Sequence, residues 1–368
     1  MSIRKTLAIG LAGVCLNALV LGPWAWSSAI RETAGDLAHF GDFTHFYIGA
    51  CLAGTEAEYD AAAVLRLQQS VTGIMQPHLL PTRLPFYYWL LRPLCGLSYL
   101  SAHRIWMILL VTAAVAGIGL LSLTQGAAAV AASLWSAPLF LSLVGGQDDT
   151  ILYLVLAAGL WLRQAGRPRS AGVVLSLLWI KFHLFLLLPV LFVVKREYRL
   201  FAGAVFGSAL LLGACFAVAG VHWPAQYAAL LLNPVISPGG DLMPNLHGVA
   251  LHFAGSTAIE AALAILVVAA AIWVMARTGF ALAFGAALLG GLLVSHHAYP
   301  ADCVFLVPGL AGIWRQGRSP AREIALVCLL PIPYWFAEFL GYGWLPAILL
   351  LAALIALTRS SHRPARAD

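Results

Sequence analysis

The chain has 368 residues, of which 61% are hydrophobic and only 10% are charged. Soluble domains contain roughly 45–50% apolar residues. This composition, with a mean hydropathy of +0.88, therefore excludes a soluble globular protein and indicates a polytopic membrane protein. The formal charge of +6 does not indicate nucleic-acid binding, because the basic residues lie mostly in short clusters between apolar segments, as expected for cytoplasmic loops.

The first element in chain order is an apolar run from Leu7 to Trp26, which follows Arg4 and Lys5. About 20 apolar residues suffice to span the hydrocarbon core, and we interpret this run as a retained membrane helix rather than a signal peptide. Further spans are predicted near residues 84–98, 102–123, 127–145, 149–164, 171–194, 200–220, 257–276, 279–294, 300–314, 321–340 and 343–357. This count places both termini on the cytoplasmic side.

Several segments between residues 84 and 194 are shorter than the roughly 17 to 25 residues of a spanning helix, and one pair is a candidate for re-entrant half-helices. The predicted fold class is an all-α polytopic membrane protein with about 10–13 transmembrane helices. Residues 1–368 are expected to form a single integral membrane domain. Residues 28–83 and 221–256 are the predicted outer loops, and residues 359–368 the predicted cytoplasmic tail.

The first outer loop is predicted to contain an interfacial helix. Asp60 is expected to cap it, and Val64, Leu67, Val71 and Ile74 recur at three- and four-residue spacing. An amphipathic helix of this kind lies on a membrane surface. The six cysteines include no CxxC pair, and we interpret them as small core residues.

Absent motifs narrow the range of reactions. The sequence contains no G-x-x-x-x-G-K-[ST], H-E-x-x-H, G-x-S-x-G or D-x-D motif. P-loop hydrolysis of ATP, zincin-type proteolysis, serine hydrolysis and a nucleotide-sugar site of the D-x-D kind therefore lack support.

Asp42 is the first candidate for chemistry, because it lies in a cluster of acidic residues in the first outer loop of a chain with few charges. A carboxylate at the membrane surface can act as general base toward an acceptor hydroxyl. The alternative is that Asp42 caps the helix beginning at Phe43, a common use of aspartate. The two roles are compatible, and the sequence leaves both open.

Lys181 is the second candidate, since it lies about ten residues from either end of the apolar run 171–194, roughly 15 Å deep at 1.5 Å per residue. An ionisable group at that depth costs several kcal/mol and indicates a functional site that faces a wet cavity or an anion. The alternative is a lysine that snorkels to the interface.

Three further polar spots remain open. Gly145-Gly146-Gln147-Asp148-Asp149 is either an ordinary turn or part of a site. The turn from Ser295 to Asp302 contains His296 and His297, for which acid–base or phosphate contacts, a plain polar turn and metal binding are the alternatives; no third metal ligand at suitable spacing is visible. Arg83, where the loop re-enters the membrane, suits a phosphate but also an interfacial anchor.

The polar motifs together resemble a known family in their order. They are Gly41-Asp42-Phe43 with Tyr47, Tyr59-Asp60, Arg83 with Pro85-Phe86-Tyr87, Gly146-Gln147, Ile180-Lys181, Met243-Pro244-Asn245-Leu246-His247-Gly248, and Ser295-His296-His297-Ala298-Tyr299 with Asp302. In this order they resemble glycosyltransferase family 87, membrane enzymes of the GT-C superfamily that use polyprenyl-phosphate sugars. The resemblance extends from residue 41 to about residue 310.

The resemblance implies an enzyme that transfers a hexose, mannose in the characterised members, from a polyprenyl-phosphate carrier to a lipid or glycan hydroxyl, with inversion. The expected location is the outer face of a bacterial inner membrane, with membrane lipids but no nucleic acid as partners. Asp42 becomes the expected base. The expected substrate-binding residues are Lys181, Arg83, His296, His297, Gln147, Tyr47 and Asp302. No cofactor and no metal ligand are expected, and metal dependence stays open.

Two other functions compete with the transferase. A secondary transporter or lipid flippase also places an ionisable residue at the midplane and breaks helices around it, although no internal repeat is visible in the sequence. A membrane scaffold without catalysis would use the acidic first loop to bind a partner.

Overall fold

The computed structural model describes residues 3–33, 41–233, 239–253, 256–315 and 319–360. Regular structure within these ranges is entirely helical, which confirms the all-α prediction. The predicted tail at 359–368 lies almost wholly outside the described residues. The α-helices are α1 (Ile3–Thr33), α2 (Phe43–Leu52), α3 (Ala61–Thr72), α4 (Pro85–Leu91), α5 (Tyr99–Gln125), α6 (Ala127–Trp135), α7 (Ala137–Val144), α8 (Asp149–Gln164), α9 (Pro168–Leu175), α10 (Leu187–Val194), α11 (Tyr198–Ala219), α12 (Trp223–Leu231), α13 (Leu246–Phe253), α14 (Thr257–Arg277), α15 (Phe280–Val294), α16 (Val307–Trp314), α17 (Pro320–Val327), α18 (Pro331–Leu340) and α19 (Trp344–Ser360). Short 3-10 helices cover Arg92–Gly96, Ser176–Phe185, Gly240–Leu242 and Pro300–Leu306.

Four of the described helices are long and apolar enough to cross a membrane, namely part of α1 (Ala8–Ser27), α5, α11 and α14. The number rises to seven if three bent pairs, α6 with α7, α9 and its 3-10 extension with α10, and α17 with α18, are each one broken span. The long helices expose apolar side chains such as Leu123, Phe206 and Ile265. Side chains of this kind are stable against lipid tails, so the chain is an integral membrane protein.

The predicted span at residues 84–98 is instead broken into two short elements. Helix α4 has seven residues and the 3-10 helix that follows has five, whereas a span needs roughly 17 to 25. Pro93 lies at the start of the 3-10 helix, where its ring and missing N–H prevent α4 from continuing. The chain from residue 41 to the start of α5 therefore contains no helix of spanning length.

A disulfide bond and a capped helix fix the first loop. Cys51, near the end of α2, is bonded to Cys95. The interpretation of all six cysteines as small core residues is therefore wrong for this pair. Asp60 is confirmed as the cap of α3, since its Oδ1 accepts hydrogen bonds from the backbone N–H groups of Ala62 and Ala63.

The chain bends sharply near Lys181. Residues Pro168–Phe185 and Leu187–Val194 meet at 113°, and Lys181 itself has non-helical φ −131° and ψ 51°. Helix α9 packs closely against α11 next to this bend. A Cβ added at Gly172 of α9 would lie only 2.0 Å from the carbonyl oxygen of Leu200 in α11, so the contact requires a glycine. Small residues permit such close contacts between membrane helices. The bend turns the lysine, which is 5% exposed, toward the protein interior.

Candidate active site

The centre of the candidate site is a buried cluster around Lys181. Its Nζ donates to Asp149 Oδ1 at 2.5 Å and to Asp302 Oδ1 at 2.6 Å, and it lies 3.7 Å from Asp148 Oδ1. All four side chains are buried. Buried charges are stable only when they are paired and hydrogen-bonded, so the carboxylates explain how the chain keeps a lysine in an apolar region. This geometry excludes the snorkelling alternative.

Arg83 extends the cluster toward the first loop. Its Nε and Nη2 donate to the two oxygens of Asp148 at 2.8 and 2.9 Å. Its backbone is also fixed, since the carbonyl accepts from the Tyr59 hydroxyl at 2.8 Å and the N–H donates to the Tyr88 hydroxyl at 3.1 Å. Burial alone would raise the pKa of Asp148, but the charges of Arg83 and Lys181 outweigh it and hold that pKa well below its usual range. Arg83 is therefore a buried ion-pair partner and not an interfacial anchor.

Asp42 packs against the turn that contains Asp148. Its backbone N–H contacts the carbonyl oxygen of Gly145 at 3.4 Å, and Gly41 approaches the same oxygen so closely that an added Cβ would lie 2.8 Å from it. The φ of +55° at Gly41 is also one that glycine adopts readily. The first loop and the turn at 145–148 are therefore joined through backbone atoms.

The helix cap, one of the two roles left open for Asp42, is not formed. Asp42 precedes α2, but its φ of −68° and ψ of −14° are helical and its side chain makes no cap hydrogen bond. A capping residue normally has extended backbone angles, which aim its oxygen at the free N–H groups. Asp42 is a half-buried residue. Burial raises the pKa of its carboxyl group to about 6, an effect that the charges of Lys181 and Arg83 oppose. A carboxylate of this kind is available to exchange a proton near neutral pH.

Tyr47 and Gln147 have different surroundings. The Tyr47 hydroxyl donates to the backbone carbonyl of Leu97 at 2.8 Å, so this hydroxyl bonds to the segment just before α5. Gln147 is half-buried within the turn between α7 and α8, and its backbone N–H donates to Ser142. Trp106 of α5 fixes the same turn, because its Nε1 donates to the carbonyl of Gly146 at 2.8 Å.

The two adjacent histidines point to different environments. His297 is half-buried, with its ring centroid 6.3 Å from that of His183 and 4.8 Å from that of Tyr299. Burial lowers the pKa of His297 to about 4, the charge of Asp302 opposes that shift, and Lys181 adds to it. The imidazole next to the cluster is therefore neutral at pH 7. The His296 side chain is 76% exposed and lies beside Glu260.

Asp302 connects the turn after α15 to Lys181. One carboxylate oxygen accepts from Lys181, and the other accepts from the backbone N–H of Tyr299 at 2.7 Å. The structure thus connects Arg83, Lys181 and Asp302 through Asp148 and Asp149, with Asp42 and His297 within electrostatic range.

Sequence reasoning did not single out several residues of this region. Asp148 and Asp149 were named only within the segment 145–149, which was left open between an ordinary turn and part of a site, although two adjacent carboxylates at the start of an apolar helix are a signal in themselves. His183 follows Lys181 by two positions and lies beside His297. Glu338 of α18 lies close enough to Asp42 for their charges to interact, and nothing in the local sequence indicates this.

Comparison with known proteins gives one match. The family model for glycosyltransferase family 87 matches residues 84–300, more than half of the chain. The matched range includes Asp148, Asp149, Lys181, His296 and His297, while Asp42, Arg83 and Asp302 lie outside it. No curated protein and no solved structure matches the chain.

Proposed function

Because the chain belongs to glycosyltransferase family 87 and is thus a membrane glycosyltransferase, we propose that it transfers a hexose from a polyprenyl-phosphate carrier to a hydroxyl group of a lipid or glycan acceptor. The sugar we propose is mannose, and the transfer inverts the anomeric centre. The observation that carries this proposal is the family match, and the arrangement of Asp42 beside the Lys181 cluster supports it.

Asp42 acts as the general base in this proposal. Its carboxylate makes no cap hydrogen bond, and burial raises its pKa to about 6, near the pH at which a base must both bind and release a proton. As the acceptor oxygen forms its bond to the anomeric carbon, its proton passes to Asp42. The bond between that carbon and the phosphate oxygen breaks, and the phosphate leaves with the electron pair. A single carboxylate that acts as base rather than nucleophile gives inversion.

Arg83 and His297 are the groups we propose for contact with the donor phosphate. The two cations and three carboxylates of the cluster already pair with one another. A phosphate must therefore bind to N–H groups that these pairs do not use. Arg83 donates one N–H from each of its three nitrogens, to Asp148 and to the Thr82 hydroxyl. A guanidinium has five N–H donors, so two of them are left for the phosphate. Lys181 then acts by its charge and by holding Asp149 and Asp302 in position.

An apolar groove lined in part by helix α4 suits the lipid part of the donor. It has a volume of about 540 Å³ and lies between α4 and α11, with Phe86, Trp89 and Leu211 among its lining residues. Helix α4 begins two residues after Arg83. We propose that the first prenyl units occupy this groove while the phosphate reaches the polar cluster.

The disulfide between Cys51 and Cys95 supports an outward-facing site. Disulfide bonds persist in oxidising compartments such as the bacterial periplasm and are rare in the cytosol. Cys51 lies in α2, the helix that begins directly after Asp42. We therefore propose that the first loop and Asp42 face the periplasmic side of a bacterial inner membrane.

The test is a transfer assay with the purified full-length protein, labelled polyprenyl-phosphate mannose and a crude lipid acceptor pool. We expect Asp42→Asn to lower kcat by about 10²–10⁴-fold, the usual contribution of a general base. Glu56→Gln is the matched control, because Glu56 is an exposed acidic residue of the same loop. Unchanged transfer by Asp42→Asn would refute Asp42 as the base. Uptake of the lipid-linked sugar into proteoliposomes without any transfer would favour the flippase instead.

A further inference from the structure

A second cluster of polar side chains lies outside the Lys181 cluster. His247, Glu260 and His296 each direct a ligand atom to one point, and these three atoms lie within 4.8 Å of one another. His247 Nδ1 is 3.0 Å from Glu260 Oε2, and His296 Nδ1 is 3.9 Å from Glu260 Oε1. The two imidazole centroids are 4.2 Å apart. Two imidazoles and one carboxylate are thus brought together from three separate parts of the chain.

Each of the three side chains is positioned by a defined element. His247 lies in the first turn of α13, Glu260 in the first turn of α14, and His296 in the turn after α15. Asn245 connects two of these parts, because its Nδ2 donates to the carbonyl of Ser295 at 2.8 Å and its Oδ1 accepts from the N–H of Gly248 at 2.9 Å. This buried amide sets the position of His247 relative to His296 before any ligand binds.

We propose that His247, Glu260 and His296 form a binding site for one divalent transition-metal ion of the zinc type. Two histidines and one carboxylate are an established ligand set for zinc, with a further position open to water or substrate. Zinc bonds of 2.0–2.1 Å place tetrahedral ligands about 3.3 Å apart. The widest gap here is 4.8 Å, and it closes by rotation of the 76% exposed His296 side chain.

The position of this site gives the ion a defined environment. His296 directly precedes His297, whose ring is within electrostatic range of Asp302 and Lys181. An ion held by His296 would therefore be one residue along the chain from a histidine of the candidate active site, and the exposed His296 side chain leaves the ion accessible to solvent. Oxygen ligands such as water or a phosphate fit the open coordination position. The sequence did not indicate this site because Glu260 and His247 are distant from His296 in the chain.

The test uses the full-length protein, purified in detergent with a tag that contains no histidine and stripped with a chelator. We expect wild type to bind one Zn²⁺ per chain, measured by calorimetry and elemental analysis. We expect His296→Ala and Glu260→Gln to weaken binding at least about tenfold. His252→Ala is the matched control, because His252 lies on the same helix α13 but stacks on Trp344, and it should bind zinc as wild type does.

Thermal unfolding separates loss of the site from loss of the fold. Zn²⁺ should raise the Tm of wild type and of His252→Ala but not that of His296→Ala, since only a ligand that binds the folded state stabilises it. His296 is exposed, so its variant should unfold at the wild-type Tm without metal. Absence of zinc binding in wild type, equal binding by all variants, or equal protection by Mg²⁺ would overturn the proposal. None of these readouts depends on glycosyl transfer, so the two proposals succeed or fail separately.

Discussion

Arg83 and Asp148 form a bidentate ion pair, with Nε–Oδ2 and Nη2–Oδ1 distances of 2.8 and 2.9 Å, that joins the end of the first loop to the turn before α8. The two residues are 65 positions apart in the chain and both are buried. The pair therefore fixes the first loop, with Asp42, to the helix that carries Asp149.

Removal of one partner of this pair should strongly destabilise the protein. Asp148→Asn leaves the buried Arg83 without its carboxylate, and Arg83→Gln leaves Asp148 with only Lys181, at 3.7 Å. Removal of one partner of a buried pair typically costs about 3–5 kcal/mol. The double variant Arg83→Gln/Asp148→Asn leaves neither charge and should be more stable than the sum of the single effects predicts. Thermal or denaturant unfolding in detergent measures this. Arg92→Gln, at an exposed arginine, should change stability little, and strict additivity of the two cluster substitutions would contradict the prediction.

The pH dependence of transfer should report Asp42. Because its pKa is raised to about 6, the base is protonated below that pH, and kcat/KM should rise as the pH increases through about 6 and then level off. Asp42→Asn should lose this rise together with most of the activity. A profile of kcat/KM from pH 5 to 9 provides the measurement. An inflection near pH 4, as for an ordinary exposed carboxyl, would contradict the assigned environment.

Stability should also depend on Asp42, in the opposite direction. The folded state holds this proton more tightly than the unfolded chain, whose carboxyl has the ordinary pKa of about 3.9. The protein should therefore lose stability as the pH rises from about 4 to above 6. Asp42→Asn removes this dependence and should raise the Tm at pH 8, while Glu56→Gln should not. A lower Tm of Asp42→Asn at pH 8 would show that the carboxylate stabilises the fold.

Lys181→Met should unfold more easily than wild type, because Asp149 and Asp302 lose the ammonium group that both contact. Breaking a buried pair in this way costs about 3–5 kcal/mol. Adding Asp149→Asn removes one unpaired carboxylate and should restore part of the stability but not glycosyl transfer. Unfolding and transfer are measured on the same preparations. Recovery of full transfer in the double variant would show that Lys181 serves the fold alone.

Loss of the disulfide between Cys51 and Cys95 should lower the stability of the first loop. The two residues are 44 positions apart, and removal of a disulfide closing a loop of this size typically costs about 2–4 kcal/mol. Cys51→Ser and Cys95→Ser should therefore unfold at lower denaturant concentration than wild type. Cys15→Ser is the control, since Cys15 is a free and exposed thiol. Thiol labelling before and after reduction should reveal two additional reactive groups in wild type and in Cys15→Ser, but none in Cys51→Ser or Cys95→Ser.

Composition predicted the all-α membrane fold, because hydrophobic content and helix length depend on local sequence. The cap at Asp60 was predicted for the same reason, since a capping bond reaches only two or three residues. The functional interest of Lys181 followed from its depth in an apolar run. The break at this residue is consistent with the re-entrant alternative, although the sequence did not define the bend itself.

The remaining features depend on contacts between distant residues. The cap of α2 was one of the two roles left open for Asp42 because local sequence favours it, but the close contact of Gly41 with Gly145 accompanies different backbone angles. The partner of Cys51 and the carboxylates around Lys181 come from positions that carry no shared motif. For the adjacent histidines, only the structure shows that His297 lies beside His183 and His296 beside Glu260.

The contact between Lys181 and Asp302 has a consequence for biogenesis, because the two residues are 121 positions apart. While the ribosome is still synthesising the chain, Lys181 enters the membrane long before Asp302 exists, and Asp149 is the carboxylate already available to it. The bend at Lys181 therefore gains this second carboxylate contact only after the chain has been translated past residue 302.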